Sequence, residues 1–178
     1  MEPRSPDILW APWRLAYVQG DPATRPEPPE PPSWRTGSDR GCLLCRAASA
    51  GPGQERDLGI VARSAASVVV VNRFPYSSGH LLVAPLDHLP ALADLDRAAL
   101  LDLQERIVEW CAVLEERLEA RGFNIGLNVG AVAGAGVPGH LHWHIVPRWP
   151  GDVNFMPAVA AVRVLPQALD SLWEHLRR

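Results

Sequence analysis

The sequence predicts an α+β domain with a mostly antiparallel five-stranded sheet, and three observations predict it. Five short stretches have strand character, at 58–62, 67–72, 80–84, 123–129 and 139–148. One long amphipathic stretch, 97–121, separates the third from the fourth. Clusters of Gly, Pro, Asn and Ser punctuate the intervals, as in Asn72-Arg73-Phe74-Pro75-Tyr76-Ser77-Ser78-Gly79.

In chain order, residues 1–20 read as an aromatic docking segment, because Trp10, Trp13 and Tyr17 crowd Ile8 to Val18. Such a leader is expected to pack on the domain or on a partner subunit. Residues 21–40 read as a linker. Six prolines between Asp21 and Ser33 leave few large apolar side chains with which to build a core. The remaining 41–178 read as one domain. Within it Val68 to Val71 is a continuous β-branched run, the pattern of a strand covered on both faces. Asp94 or Asp96 caps the long helix, Leu100, Leu103, Ile107, Cys111, Leu114 and Leu118 form its apolar stripe, and Gly122 stops it. Phe123 to Val129 alternates, with Asn124 and Asn128 on one face. Leu169, Leu172, Trp173 and Leu176 predict a short C-terminal helix, and Trp149 to Pro157 a polar loop.

A chain of 178 residues suffices for one domain with a substantial core. A net charge of −3 gives no concentrated positive field, so neither nucleic acid nor a membrane surface is an expected partner. Mean hydropathy is −0.04, and no apolar run approaches the ~18 residues of a membrane span. Met1-Glu2-Pro3-Arg4 lacks a signal-peptide layout. Three cysteines make no disulfide framework and suit a reducing cytoplasm.

The densest chemistry lies in Gly139-His140-Leu141-His142-Trp143-His144-Ile145-Val146-Pro147-Arg148. Period-2 alternation sends three of the chain's six histidines to one face of a strand. Such a row suits either a metal cage or a phosphate site in which one imidazole is the nucleophile. All three on one ion is the poorer fit, since same-face neighbours lie ~6.6 Å apart along a strand. Glycines 130, 134, 136 and 139 precede the row and permit close backbone approach to an anion. Cys42-Leu43-Leu44-Cys45 has the spacing of half a zinc site and needs two more N or S ligands. Cys111 reads as core, and His175 as a cation favoured by a helix C-terminus. His80, at the start of a strand, reads as packing or capping.

His140 to Val146 resembles the signature of the histidine triad family, in which histidines alternate with apolar residues. That resemblance implies a five-stranded antiparallel sheet with helices on one side, over roughly residues 40 to 160, and pairing as homodimers. It implies that His142 attacks the α-phosphate of a nucleotide to form a nucleotidyl-histidine. His144 would contact the phosphate and the bridging oxygen of the leaving group, and a protonated imidazole there could supply its proton. Asn128 is similar to the family's phosphate-contacting asparagine, with a buried side chain satisfying backbone groups as the alternative. Where many members carry Gln, Ser or Thr, this chain has Gly136-Val137-Pro138-Gly139, which leaves leaving-group contacts to backbone amides.

The resemblance also completes the cysteine pair. In its zinc-bearing branches a histidine after the third strand and the first triad histidine join the two thiolates. In this chain those are His88 and His140, giving a structural zinc on Cys42, Cys45, His88 and His140, with Asp87 orienting His88. Leu9 to Arg14, Phe123 to Asn128 and Arg148 to Phe155 look like the branch of diadenosine tetraphosphate phosphorylases and ATP adenylyltransferase-like proteins. The implied activity is cleavage of a dinucleoside polyphosphate through adenylyl-His142, resolved by phosphate. No metal is required for that chemistry, although a magnesium ion could sit on the substrate phosphates. Hydrolysis, phosphoramidate cleavage and a non-enzymatic zinc-stabilised nucleotide-binding module stay open as alternatives.

Overall fold

The computed structural model describes residues 28–152 and 168–177; the aromatic leader and the stretch from 153 to 157 lie outside them. Five strands, β1 (Ile60–Arg63), β2 (Ser67–Val71), β3 (Leu81–Pro85), β4 (Gly122–Leu127) and β5 (Trp143–Arg148), form one antiparallel sheet in the order β1-β2-β3-β5-β4. Helix α1 (Leu43–Ser49) precedes β1, α2 (Arg97–Leu118) joins β3 to β4, and α3 (Leu169–Arg177) is the C-terminal helix.

Strand β2 is buried along its whole length, as its Val run requires. Val69 and Val71 face a core shared with Leu103, Ile107, Trp110 and Leu114 of α2 and Leu172 and Leu176 of α3. Val68 and Val70 face a second core made with Leu44, Cys45, Ala47 and Ala48 of α1. Helices therefore cover both faces, where helices on one side were expected. Local pattern does not reveal α1, since seven residues are too few to show a helical period. Trp34, in the expected linker, packs against this second core.

The long helix departs from expectation at its end. Asp96 accepts from the Ala99 N–H (2.7 Å) as its N-cap, while Asp94 closes a separate short turn. The helix stops at Leu118 because Glu119 turns left-handed (φ 52), and Gly122 opens β4 instead. Leu100 is 41% exposed and Trp110 takes its place in the stripe. Ser64 and Ser67 donate to Asp102 (2.6 and 2.5 Å), pinning α2 to the β1–β2 turn.

The register settles which side chains meet. His144 lies opposite Leu82 on β3 and Gly126 on β4. Leu141, Trp143 and Ile145 all enter the α2 core, so the alternation holds although the ladder begins only at Trp143.

Candidate active site and metal centre

Cys42 is the N-cap residue of α1 and Cys45 lies three residues on, a spacing that places both on one side of the first turn. His88 follows β3 and His140 precedes β5. The structure brings all four together, with donor atoms within 4.8 Å of one another. Cys42 Sγ and Cys45 Sγ each lie 3.5 Å from His140 Nδ1, and Cys45 Sγ lies 3.1 Å from His88 Nδ1. Tetrahedral zinc with Zn–N ~2.1 Å and Zn–S ~2.3 Å has ligand edges of about 3.3–3.8 Å, near the 3.1–3.5 Å of these three S···N pairs, so the four residues could hold a metal ion. The His140 Nε2–H donates to the Pro85 carbonyl (2.9 Å), which leaves the Nδ1 lone pair facing the thiols. Burial pushes the Cys42 thiol up to about 12 and the His140 imidazole down to about 4. Two cysteines and two histidines packed together in this way favour a dication, which stabilises thiolates directly.

Asp87 does not hold His88 by a hydrogen bond. Its carboxylate takes Arg35 instead (2.9 Å), an exposed pair across 52 residues. Gly139, expected beside phosphate, packs against His88: a Cβ there would come 3.0 Å from His88 Nε2.

His142 lies two residues beyond His140 and is buried, at 4% exposure. Its Nδ1–H donates to the His140 carbonyl (2.8 Å), so the neutral ring keeps its lone pair on Nε2. Burial lowers its pKa from the usual histidine value, against the smaller opposing effect of that hydrogen bond. The rings of His142 and His144 meet edge to face at 5.0 Å.

Both line a cavity of about 480 Å³. Leu43, Leu58, Val70 and Phe74 give it apolar walls, and Gly134, Gly136 and Gly139 bring backbone to its rim. Such a mix of apolar wall and convergent polar atoms is the usual form of a small-molecule site. Asn128 stands apart from this lining. The β4–β5 register, continued by one step, puts it opposite His142, and its Nδ2–H lies 3.5 Å from the Gly134 carbonyl.

Sequence reasoning missed His80. It is fully buried, and its Nε2 lies 2.9 Å from His144 Nδ1. The available signal was its position: residues 80 and 82 share the β3 face that receives His144. Gly79 fixes the approach, with φ +73 and space so tight that a Cβ would meet Leu118 Cδ1 at 2.6 Å. Gly79→Ala is expected to cost roughly 2–4 kcal/mol of stability, measured by denaturant unfolding. His175 donates from Nε2 to the Arg117 carbonyl (2.9 Å), tying α3 to α2, and Cys111 packs against the α2 core.

The HIT domain family matches residues 54–151. A Mycobacterium tuberculosis protein named AP-4-A phosphorylase is 34% identical over 164 residues, 90% of this chain and 77% of that one. A Schizosaccharomyces pombe bis(5'-nucleosyl)-tetraphosphatase (asymmetrical) is 39% identical over 92 residues, 52% of this chain and 50% of its own. Among solved structures, a hypothetical histidine triad nucleotide-binding protein of Sulfolobus tokodaii superposes with a TM-score of 0.56 at 26% identity, covering 67% of this chain and 80% of its own. With its alternating histidines, its antiparallel sheet and relatives of this kind, the chain belongs to the histidine triad (HIT) family.

Proposed function

We propose that this protein is an enzyme that cleaves a dinucleoside polyphosphate of the diadenosine tetraphosphate type through a nucleotidyl-His142 intermediate, with inorganic phosphate as acceptor. The observation that supports it most is the His142 tautomer: with Nδ1–H given to the His140 carbonyl, the nucleophilic lone pair sits on Nε2 in a residue that lines the cavity. Nε2 attacks the α-phosphorus, forming a P–N bond as the P–O bond to the polyphosphate chain breaks. That chain leaves as a nucleoside polyphosphate anion. A phosphate oxygen then attacks the same phosphorus, the P–N bond breaks, and a nucleoside diphosphate departs with His142 restored. His144 and Asn128 hold the transferring phosphoryl group, and the backbone at Gly136 and Gly139 faces the leaving phosphates. The relatives named AP-4-A phosphorylase and tetraphosphatase support this substrate class.

Cys42, Cys45, His88 and His140 would hold a structural zinc, which would supply rigidity beside the reacting strand and no step of the chemistry. A magnesium ion on the substrate phosphates would offset their charge, and none of the steps above requires it. The assembly is a homodimer. Ile125 and Val129 are 49% and 45% exposed along and beyond β4, the outermost strand, and Leu101 and Val108 are exposed two turns apart on α2. At the other sheet edge, Trp173 of α3 donates to the Ile60 carbonyl (2.8 Å), which blocks a second pairing there. No helix among the described residues is long and apolar enough to cross a membrane, and the three free cysteines suit the cytoplasm.

Hydrolysis is the second reading, favoured by the tetraphosphatase relative. Product analysis separates them. Diadenosine tetraphosphate with inorganic phosphate is expected to give ADP and ATP, with turnover dependent on phosphate. AMP and ATP without phosphate would replace the acceptor by water, and no turnover would overturn the substrate class.

A further inference from the structure

We propose that the open face of β4 and β5 beyond His144 seats the second nucleoside of the substrate, with Gly126 as its floor and Asn124 and Arg148 as the residues that select for it. This role rests on the proposed phosphoryl transfer at His142 and deepens it, because it says where the leaving nucleotide lies.

The sheet gives this face its direction. Phe123 and Leu127 of β4 pack against the α2 core, so Asn124, Gly126 and Asn128 point to the opposite side. The register sets Gly126 opposite His144, Asn124 opposite Val146 and Gly122 opposite Arg148. Val70 and Leu82 share that side of the sheet and lie under α1, yet among the described residues the core beneath α1 takes none from β4 or β5. The side that bears the histidines is therefore covered over β2 and β3 and bare over β4, where Asn124 and Gly126 are exposed. Pairing of β4 with a second copy would use backbone groups in the plane of the sheet and leave this face open.

Gly126 has no structural reason to lack a side chain. Its φ is outside the left-handed region, and a Cβ there would meet nothing within 4 Å. Glycine inside a strand weakens it, and such a position often marks the close approach of a ligand. Because Gly126 sits beside His144, the open strip begins at the reacting phosphoryl group and runs along β4 to Asn124.

The far end of the strip is built for hydrogen bonding. Arg148 donates to both carboxylate oxygens of Asp152, from Nε (2.6 Å) and Nη2 (2.9 Å), and from Nη1 to Asn124 Oδ1 (2.8 Å). A guanidinium only donates, so Asn124 must offer its oxygen to Arg148 and turn its NH2 group outward. Among the described residues that NH2 has no acceptor, and Arg148 keeps one N–H on each Nη. Asp152 cancels the charge of the guanidinium, so the cluster presents donors without a positive field. Ribose oxygens and purine ring nitrogens accept such donors, and a base can stack on the guanidinium plane. A phosphate would meet the Asp152 carboxylate, which makes the neutral nucleoside the better occupant.

Distance agrees with this assignment. Asn128 stands opposite His142, and Asn124 is four residues away, ~13 Å at ~3.3 Å per residue. From a phosphorus held over His142, three further phosphates in an extended chain carry a nucleoside that far, and one further phosphate does not. Selection for a dinucleoside tetraphosphate over a dinucleoside diphosphate follows from the same spacing.

The test compares diadenosine tetraphosphate with adenosine 5'-tetraphosphate, which lacks the second nucleoside, on the whole protein with inorganic phosphate as acceptor. Asn124→Leu and Arg148→Met are each expected to raise KM for diadenosine tetraphosphate by roughly 10-fold with kcat little changed, the scale of one or two lost hydrogen bonds. For adenosine 5'-tetraphosphate kcat and KM are expected to stay within about 2-fold in both variants. Equal losses on the two substrates would overturn the proposal, as would a folded Asn124→Leu protein with unchanged KM for diadenosine tetraphosphate. Should Arg148→Met fail to fold, Asn124→Leu decides alone, since that side chain is exposed. Should wild type cleave neither substrate, the functional reading falls, and equilibrium binding of the two nucleotides judges the site. Tighter binding of the dinucleotide that Asn124→Leu abolishes would then support it, and equal effects on both ligands would overturn it.

Discussion

His142→Ala is expected to fold with its sheet intact and to lose turnover by about 10³-fold or more, the scale on which removal of a covalent nucleophile is felt. The expectation follows from how the chain holds this imidazole. His142 faces away from the α2 core that takes Leu141 and Trp143, so its removal opens space beside the substrate cavity and leaves that core packed. What disappears is the Nε2 lone pair, which the Nδ1–H bond to the His140 carbonyl keeps available and which burial keeps unprotonated. Nucleotide binding should survive, because the apolar walls and the glycine-rich rim do not depend on it. The check pairs steady-state turnover with equilibrium binding of a non-cleavable dinucleotide. Loss of kcat with retained binding fits a nucleophile at His142, and full activity in the variant would rule that role out.

Removal of the proposed zinc is expected to have the largest effect on stability. The four donors come from three distant parts of the chain, the start of α1, the segment after β3 and the approach to β5. A metal bound by them ties the N-terminal part of the domain to the strand that bears His142. Metal affinity in such sites is folding free energy, on the order of 10 kcal/mol in small zinc domains. Even about 3 kcal/mol of it would move the Tm of a domain of this size by about 6–12 °C. Purified protein is therefore expected to contain close to one zinc per chain, and a strong chelator or Cys45→Ser to lower the Tm by that much. Restoring zinc should reverse the chelator effect and not the mutation. Metal-free protein with an unchanged Tm would contradict a structural zinc.

Much of the fold was legible in local pattern. The alternation of His140, His142 and His144 placed them on one face, and the Val68 to Val71 run announced a doubly covered strand, because strand geometry reads directly from a period of two. The helix end was not legible. Glu119 turns left-handed without a glycine, so the obvious stop signal, Gly122, misled. Leu100 was placed in the buried stripe and Trp110 left out of it, because packing against the sheet decides the stripe by contact rather than by sequence step. His80 was missed for a different reason. Its partner is 64 residues away, and the meeting depends on the β3–β5 register, which no local pattern encodes. The clustering of His88 and His140 with Cys42 and Cys45 likewise came from the family resemblance and not from spacing, since only Cys42 and Cys45 are near neighbours.

The most direct test of covalent catalysis is to look for the intermediate itself. Protein mixed with diadenosine tetraphosphate without phosphate, quenched in alkali because a P–N bond on imidazole is acid-labile, would be digested and weighed by mass spectrometry. One adenylyl group is expected on the peptide carrying His142, none in His142→Ala, with discharge as ADP when phosphate is added before the quench. Product formation at the full rate with no adduct on His142 at any time, and with inversion rather than retention of configuration at the transferred phosphorus, would contradict a nucleotidyl-histidine.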